Sequence, residues 1–158
     1  MFTRRKALGL FGCAALAASA TGGEAFAAEE DKVVRSDAEW RRMLTPDQYA
    51  ILRRDGTERP FTSPLLHEAR KGTFACAGCD SDLFSSSTKY DSGTGWPSFW
   101  APLDHAVSEK EDRSYGMART AVSCRRCDGH LGHVFNDGPK PTGLRYCMNG
   151  VALKFKAA

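Results

Sequence analysis

The stretch from Cys124 to Gly150, CRRCDGHLGHVFNDGPKPTGLRYCMNG, decides the fold of this chain. It opens with a Cys-x-x-Cys pair, continues with two histidines three residues apart, and reaches Cys147 just before an Asn-Gly dipeptide. A second Cys-x-x-Cys pair, formed by Cys76 and Cys79, lies upstream. Two such pairs supply the four thiolates of a closed tetrahedral zinc site. We therefore predict one structural zinc ion per chain, which staples a β domain.

The six cysteines leave one thiol over once both pairs are assigned. Cys13 falls in a predicted leader that is removed, and the bulky Phe11 before it argues against a lipidation site. Cys147 then remains, as a reactive thiol, a bridge to another chain or an inert buried side chain. For the two pairs themselves, two disulfides or a redox-active Cys-x-x-Cys stay open as alternatives to zinc.

Composition and charge point to one globular domain and away from nucleic acid. The chain has 158 residues, of which 42% are apolar and 26% charged, and its net charge is +3. That suits a single domain with a modest core. The first 27 residues hold three cations and one anion, so about +1 remains for the rest. Such a small charge gives no electrostatic footprint for nucleic acid.

Residues 1–27 have the pattern of an export signal. A charged start containing Arg4 and Arg5 is followed by an Ala-rich apolar run and by the small-x-small cleavage pattern Ala25-Phe26-Ala27. The adjacent arginines favour the twin-arginine route, which moves folded proteins. We expect export to the periplasm and no membrane span after cleavage. An ordinary secretory signal with chance arginines is the alternative.

The remaining chain divides into a charged linker, 28–35, and one domain, 36–158. Capping boxes that begin at Ser36 and Thr45 predict two short helices, the second ending near Asp55. From Thr73 onward, short strand-like runs broken by turn residues indicate an antiparallel β domain. The strongest hairpin signal joins Leu144–Met148 to Val151–Phe155 through Asn-Gly. The predicted strands are Thr73–Cys76, Ser98–Ala101, Ala106–Glu109, Gly116–Ser123, His133–Phe135, Leu144–Met148 and Val151–Lys156.

If Leu144–Met148 is a strand, Arg145 and Cys147 lie on the same face. A guanidinium beside a thiol favours the reactive thiolate, so Cys147 is a candidate nucleophile. His130 and His133 are candidates for moving protons near neutral pH, although a metal site or a surface location also explains a His-x-x-His pair.

The run GWPSFW, 95–100, contains three aromatic residues around a proline. Core packing is the default interpretation of such a run. The alternative is an apolar wall for a small ligand group, with Trp96 and Phe99 as candidate substrate-binding residues.

Three blocks, YDSGTGWPSF (90–99), CRRCDGHLGHVFNDGP (124–139) and PTGLRYCMN (141–149), closely resemble the peptide methionine-R-sulfoxide reductase (type B) family. The resemblance runs from about Asp37 to Phe155. It implies two antiparallel β-sheets, arranged like a sandwich, with a short helical N-terminus. It also implies thiol-dependent reduction of methionine-R-sulfoxide in oxidised proteins, with a thioredoxin-like or small-thiol reductant and a monomeric chain.

The same resemblance implies a role for each matching residue. The nucleophile maps onto Cys147, and its thiolate attacks the sulfoxide sulfur and becomes a sulfenic acid. Binding and protonation of the sulfoxide oxygen map onto His130, His133 and Asn149. Trp96 faces the substrate methyl group, and Arg145 and Asp137 are supporting polar groups. The structural zinc maps onto Cys76, Cys79, Cys124 and Cys127.

Two positions depart from the family pattern. Thr94 stands where many members carry a resolving cysteine, so we expect an external thiol to reduce the sulfenic acid directly. Gly150 replaces a common serine, with little expected consequence. Two rival functions stay open: a zinc-ribbon-like binding module without turnover, and a disulfide oxidoreductase that uses Cys-x-x-Cys.

Overall fold

The computed structural model describes residues 32–116 and 118–158. The predicted export signal lies outside these residues, as do residues 28–31 of the predicted linker. Residues 32–35 of that linker are described, and they lie against the domain. The Lys32 ammonium contacts the carboxylate of Asp128 at 3.0 Å, and the Val33 N–H donates to the carbonyl of Arg126 at 2.8 Å. The end of the predicted linker is therefore packed on the domain.

Two short helices open the domain: α1 (Asp37–Met43) and α2 (Pro46–Arg54). Both predicted capping boxes are confirmed. The hydroxyls of Ser36 and Thr45 each accept the backbone N–H of the third residue of their helix, and the side chain of that third residue accepts the backbone N–H of the same Ser36 or Thr45. Helix α2 ends at Asp55, which has a left-handed backbone with φ of 53°. No helix in the described part of the chain is long and apolar enough to cross a membrane.

The described residues after α2 form nine strands in two antiparallel sheets. A three-stranded sheet has the order β2-β1-β9, and a six-stranded sheet has the order β3-β4-β8-β7-β6-β5. This confirms the mainly β fold with a helical N-terminus. Strands β2 and β3 were not predicted, because their Ser- and Asp-rich surroundings have the composition of turns. The strands are β1 (Gly72–Cys76), β2 (Asp82–Ser85), β3 (Lys89–Tyr90), β4 (Ser98–Phe99), β5 (Val107–Asp112), β6 (Arg119–Cys124), β7 (His130–Phe135), β8 (Arg145–Met148) and β9 (Leu153–Ala157).

The predicted hairpin between the last two strands is wrong. Strand β8 lies between β4 and β7 in the larger sheet, whereas β9 pairs with β1 in the smaller one. A single turn of 3₁₀ helix, Gly150–Ala152, carries the chain from one sheet to the other. The Asn149 amide is bonded to the carbonyl of Leu131 and the N–H of Glu58, so it does not serve a tight turn.

Aromatic rings from both sheets form the centre of the core. Phe84 and Phe99 stack with ring centroids 4.4 Å apart, and Phe74 meets Phe99 edge-on at 5.0 Å. All three are fully buried. Phe99 was predicted to bind substrate, but its ring is enclosed by these neighbours and does not line a surface that substrate reaches. The predicted helical core residues Trp40, Leu44, Tyr49 and Leu52 are buried, as expected.

Candidate functional site

The four paired cysteines meet in one cluster. Cys76 is the last residue of β1 and Cys79 lies on the turn after it, and Cys124 and Cys127 have the same places at the end of β6. All four sulfur atoms lie within 4.8 Å of one another, with Cys76 and Cys127 at 3.7 Å and Cys79 and Cys124 at 3.5 Å. A disulfide needs a sulfur–sulfur distance of about 2 Å. The two-disulfide alternative therefore does not describe this structure, in which all four thiols are free.

The same backbone turn occurs at both pairs. Asp80 and Asp128 each follow the second cysteine with positive φ, 64° and 55°. Each donates its N–H to the carbonyl of the first cysteine of its pair, at 2.9 Å. This turn aims both sulfurs of a pair toward the other pair. Four thiolates at Zn–S distances of about 2.3 Å stand about 3.8 Å apart in a tetrahedron, so the observed spacing fits an ion held by four sulfurs.

Cys147 lies at the centre of the larger sheet, outside the four-cysteine cluster. In the sheet register it stands opposite Ser98 of β4 on one side and His133 of β7 on the other. Directly opposed residues share a face, so these three side chains point the same way. Burial alternates along β8, with Tyr146 and Met148 buried and Arg145 and Cys147 half-buried. The prediction that Arg145 and Cys147 share a face is confirmed.

A chain of three hydroxyl groups ends at the Cys147 sulfur. The Thr94 hydroxyl lies 3.9 Å from Sγ of Cys147. The Ser92 hydroxyl lies 2.8 Å from that of Thr94 and 2.7 Å from that of Ser98. Ser98 is fully buried and has a further contact, at 3.2 Å, to the carbonyl of Trp96. Thr94 is thus in contact with the candidate nucleophile.

Burial and hydrogen bonding act on the Cys147 thiol in opposite directions. Burial raises the pKa of Cys147 above its ordinary value, because it disfavours the charged thiolate. Thr94, Arg145 and Ser98 lower it, as the sequence predicted for Arg145, but burial outweighs them in the free protein. Arg145 also makes a bidentate ion pair with Asp137, with both bonds at 2.8 Å, so its charge does not act on the Cys147 thiol alone.

The raised pKa of Cys147 predicts that its thiol reacts slowly with alkylating reagents at neutral pH. Iodoacetamide should alkylate Cys147 slowly at neutral pH, with a rate that rises through and beyond pH 9.0, the ordinary thiol value. Arg145→Gln should move the midpoint to higher pH, because it removes a cation that favours the thiolate. Peptide-resolved mass spectrometry follows Cys147 separately from the other cysteines. Lys154→Gln, on the exposed side of β9, is the matched control, and a midpoint below that of an ordinary thiol contradicts the assignment.

The two predicted histidines lie together, and His133 stands opposite Cys147 in the sheet register. Their ring centroids are 5.3 Å apart, and Nε2 of His133 lies 2.9 Å from a carboxylate oxygen of Asp112. His130 is 4% exposed, and its Nε2 has no hydrogen-bond partner among the described residues. Burial, and then the neighbouring His133, lowers the pKa of His130, so its ring is neutral near pH 7. A groove of about 1100 Å³ runs past both rings.

Asp112 orients one of these rings, and the sequence offered no signal for it. Hydrogen bonds from Ser114 first and from His133 second lower its pKa, so Asp112 is an anion at neutral pH. It also pairs with Arg119 at 2.8 Å. Asp112 is one of three acidic residues in the charged strand VSEKED, and nothing in that run distinguishes it from the others. Only the pairing of β5, β6 and β7 brings it to His133.

Glu58 is a second residue that the sequence analysis missed. Its backbone N–H donates to the side-chain oxygen of Asn149 at 3.0 Å, and its carbonyl accepts from Nε1 of Trp96 at 3.2 Å. Its carboxylate accepts the N–H groups of Gly150 and Val151 at 2.6 and 3.0 Å. One loop residue therefore ties Trp96 to the end of β8. The predicted binding residues Trp96 and Asn149 are linked through it.

Asn149 has little freedom to contact a ligand. It is 3% exposed, its oxygen accepts from Glu58, and its nitrogen donates to the carbonyl of Leu131 at 3.0 Å. Of the predicted residues, Cys147, His133 and Arg145 share one face. Trp96 is half-buried, and it lies in the chain between Thr94, which contacts Cys147, and Ser98, which stands opposite Cys147. Asp137 is largely exposed and reaches the site only through Arg145.

Comparisons with known proteins agree on one family. A family model described as the SelR domain matches residues 44–157. A protein of Leptospira interrogans serogroup Icterohaemorrhagiae serovar Lai (strain 56601), called peptide methionine sulfoxide reductase MsrB, is 56% identical over 126 residues, which are 79% of this chain and 96% of its own. A protein with the same name from Agrobacterium fabrum (strain C58 / ATCC 33970) is 56% identical over 126 residues, which are 79% of this chain and 93% of that protein. Another, from Pseudomonas putida (strain W619), is 58% identical over 126 residues, which are 79% of this chain and 95% of that protein.

Proposed function

Because this chain belongs to the SelR-domain family of methionine sulfoxide reductases, we propose that it reduces the R epimer of methionine sulfoxide in proteins, with Cys147 as nucleophile. Its class is an oxidoreductase that acts on sulfur. One observation carries the residue assignment: a half-buried thiol outside the metal cluster shares a strand face with a guanidinium and stands opposite a histidine. Nucleophile, cation and proton donor thus meet on one surface.

The proposed reaction transfers one oxygen atom. The Cys147 thiolate attacks the sulfoxide sulfur and forms an S–S bond while the oxygen is protonated. The resulting hydroxyl group then moves to the Cys147 sulfur, which breaks the substrate S–O bond and the S–S bond. The net products are methionine and a sulfenic acid on Cys147, so the substrate sulfur gains two electrons and the cysteine sulfur loses two. His133, oriented by the Asp112 anion, supplies the proton, and the neutral His130 lies beside it. Arg145 stabilises the thiolate as it forms.

Trp96 and Asn149 have different parts in this proposal. The half-buried Trp96 ring provides the apolar wall for the substrate methyl group, and the bond of its Nε1 to the carbonyl of Glu58 sets its orientation. Asn149 was predicted to bind the sulfoxide oxygen. Its hydrogen bonds to Glu58 and Leu131 instead support a positioning role, in which it holds Glu58, whose carbonyl accepts from Trp96.

We also propose that the four clustered cysteines hold one structural Zn²⁺ ion. The donor set is four thiols with the spacing of a tetrahedron, and two identical turns direct them. A bound ion supplies a cross-link between the end of β1 and the end of β6, and therefore between the two sheets. With four thiolate ligands it keeps no position for a substrate, so the reaction stays at Cys147.

An assay with separated epimers tests the proposed function. A peptide carrying either methionine-R-sulfoxide or methionine-S-sulfoxide is incubated with the protein and dithiothreitol, and the methionine product is measured by chromatography. Only the R peptide should be consumed. Consumption of the S peptide overturns the stereochemical assignment. A folded, metal-loaded protein that reduces neither peptide favours the binding-module alternative.

We propose that an external thiol reduces the sulfenic acid directly, because Thr94 supplies a hydroxyl where a resolving thiol would act, 3.9 Å from the Cys147 sulfur. After one turnover without reductant, dimedone should label Cys147 as a sulfenic acid. In Thr94→Cys the label should be lost, and an internal disulfide between position 94 and Cys147 should replace it.

Intact-mass and peptide mass spectrometry separate these two products. Thr94→Ser is the matched control, since it keeps a hydroxyl and should keep the dimedone adduct. A disulfide that consumes Cys147 in the wild-type chain contradicts direct reduction. The reductant in this proposal is a small thiol or a thioredoxin-like protein, and the reductase is a monomer, which sedimentation tests.

We further propose that the chain acts in the periplasm after twin-arginine export. The support is the sequence pattern of residues 1–27. Fractionation of cells that express the full chain decides this point, because retention of the unprocessed protein in the cytoplasm contradicts it.

A further inference from the structure

A second aromatic ring is exposed beside the candidate site. Phe61 is 68% exposed. The other large hydrophobic side chains exposed in the described residues are Val34 and Met43, which lie before and within α1. Single exposed hydrophobic side chains are common on protein surfaces, so exposure alone assigns no role to any of the three. Phe61 is distinguished from the other two by its neighbours.

The backbone holds the Phe61 ring in this exposed place. Phe61 has φ of 63°, a left-handed conformation that bulky side chains rarely adopt. Its N–H donates to the carbonyl of Gly95 at 2.8 Å. Gly95 itself has φ of 89°, and a Cβ there would lie 2.9 Å from two atoms of the Phe61 ring. The ring therefore lies directly against the Gly95 backbone, in contact that only glycine permits.

Gly95 connects this ring to the site. Its two chain neighbours are Thr94, whose hydroxyl lies 3.9 Å from the Cys147 sulfur, and Trp96. Trp96 is bonded through Nε1 to the carbonyl of Glu58, three residues before Phe61. Glu58 is in turn fixed to the end of β8 by its carboxylate. Segment 58–61 and segment 94–96 thus form one bonded unit, with Phe61 at its outer edge.

We propose that Phe61 contacts an apolar side chain next to the oxidised methionine in the substrate polypeptide, and so determines sequence preference. This inference rests on the proposed function. Free methionine sulfoxide ends in its own ammonium and carboxylate groups and has no neighbouring side chain. A polypeptide continues past the site on both sides, and one adjacent side chain can cover the exposed ring. The gain is removal of apolar surface from water, which does not require a movement of segment 58–61.

The experiment compares two peptides that differ only beside the methionine-R-sulfoxide. One carries leucine at the adjacent position and the other carries glycine. The wild-type chain should show a kcat/KM about tenfold higher for the leucine peptide, mainly through KM. In Phe61→Asn, whose side chain tolerates positive φ, this ratio should fall to about one. Phe61→Tyr should keep the wild-type ratio, and so should Met43→Asn, which removes an exposed hydrophobic side chain elsewhere.

The outcomes separate this inference from the proposed function. If the wild-type chain reduces both peptides equally well, or if Phe61→Asn keeps the ratio, the Phe61 inference is overturned and the reductase assignment stands. If neither peptide is reduced, both fail. Circular dichroism checks the fold of each variant. Phe61→Gly, which also permits positive φ, replaces the asparagine variant if that one does not fold, with the same expected ratio.

Discussion

Cys147→Ser should lower kcat/KM for a methionine-R-sulfoxide peptide by about 10⁴-fold or more, because loss of a covalent nucleophile removes the whole reaction path. A serine hydroxyl at this position stays protonated near neutral pH and is a poor nucleophile toward sulfur. The other four described cysteines form the separate four-cysteine cluster, so none replaces it. The substitution changes one sulfur to oxygen at a half-buried position, so the fold should be kept.

The assay is the R-epimer reduction with dithiothreitol, followed over long incubation so that a small residual rate is measured. Circular dichroism and metal content of the variant should match those of the wild-type chain. Thr94→Ser serves as a matched control at the neighbouring position and should retain most activity. If Cys147→Ser keeps more than about one hundredth of the wild-type rate, Cys147 is not the nucleophile.

Cys127→Ser should have the largest effect on stability. Cys127 is buried, and its sulfur lies 3.7 Å from that of Cys76, on the other sheet's turn. Structural zinc contributes about 10–16 kcal/mol to the folding of small zinc domains, which is comparable with the total stability of about 5–15 kcal/mol of an ordinary domain. Loss of one ligand should therefore release the metal and leave the chain largely unfolded at 37 °C.

Metal content by mass spectrometry and thermal unfolding by circular dichroism measure this effect. Cys147→Ser is the matched control: it also removes one thiol, but it should keep one metal ion per chain and the wild-type unfolding temperature. A wild-type chain that is fully folded and active without metal contradicts the structural role. In that case the clustered thiols are redox groups, and the disulfide oxidoreductase alternative returns.

Several features of the fold were predictable because their cause is local. Ser36 and Thr45 satisfy the free N–H groups of their own helices within three residues, so each capping box is complete in the sequence itself. A Cys-x-x-Cys turn likewise places two thiols within a few residues. Alternation along 145–148 correctly assigned Arg145 and Cys147 to one face, since side chains of a strand alternate by covalent geometry.

Other features depend on which distant segments pair. Asn149-Gly150 has the composition of a hairpin turn, yet the chain crosses there to the other sheet, where β9 pairs with β1, while β8 pairs with β4 and β7. Phe99 carries the same aromatic signal as Trp96, but it points into the core between the sheets. Periodicity distinguishes the two faces of a strand without showing which face is covered.

The sequence by itself determined the family, the four clustered cysteines, the helical start and the candidate nucleophile, since each is encoded in short motifs whose chemistry depends on residue type and spacing. Only the tertiary structure decided that burial outweighs Arg145 at the Cys147 thiol, that Asp112 orients His133, and that Glu58 holds Trp96. These three properties arise from contacts between segments far apart in the chain. Such contacts are set by packing and desolvation, which no local pattern records.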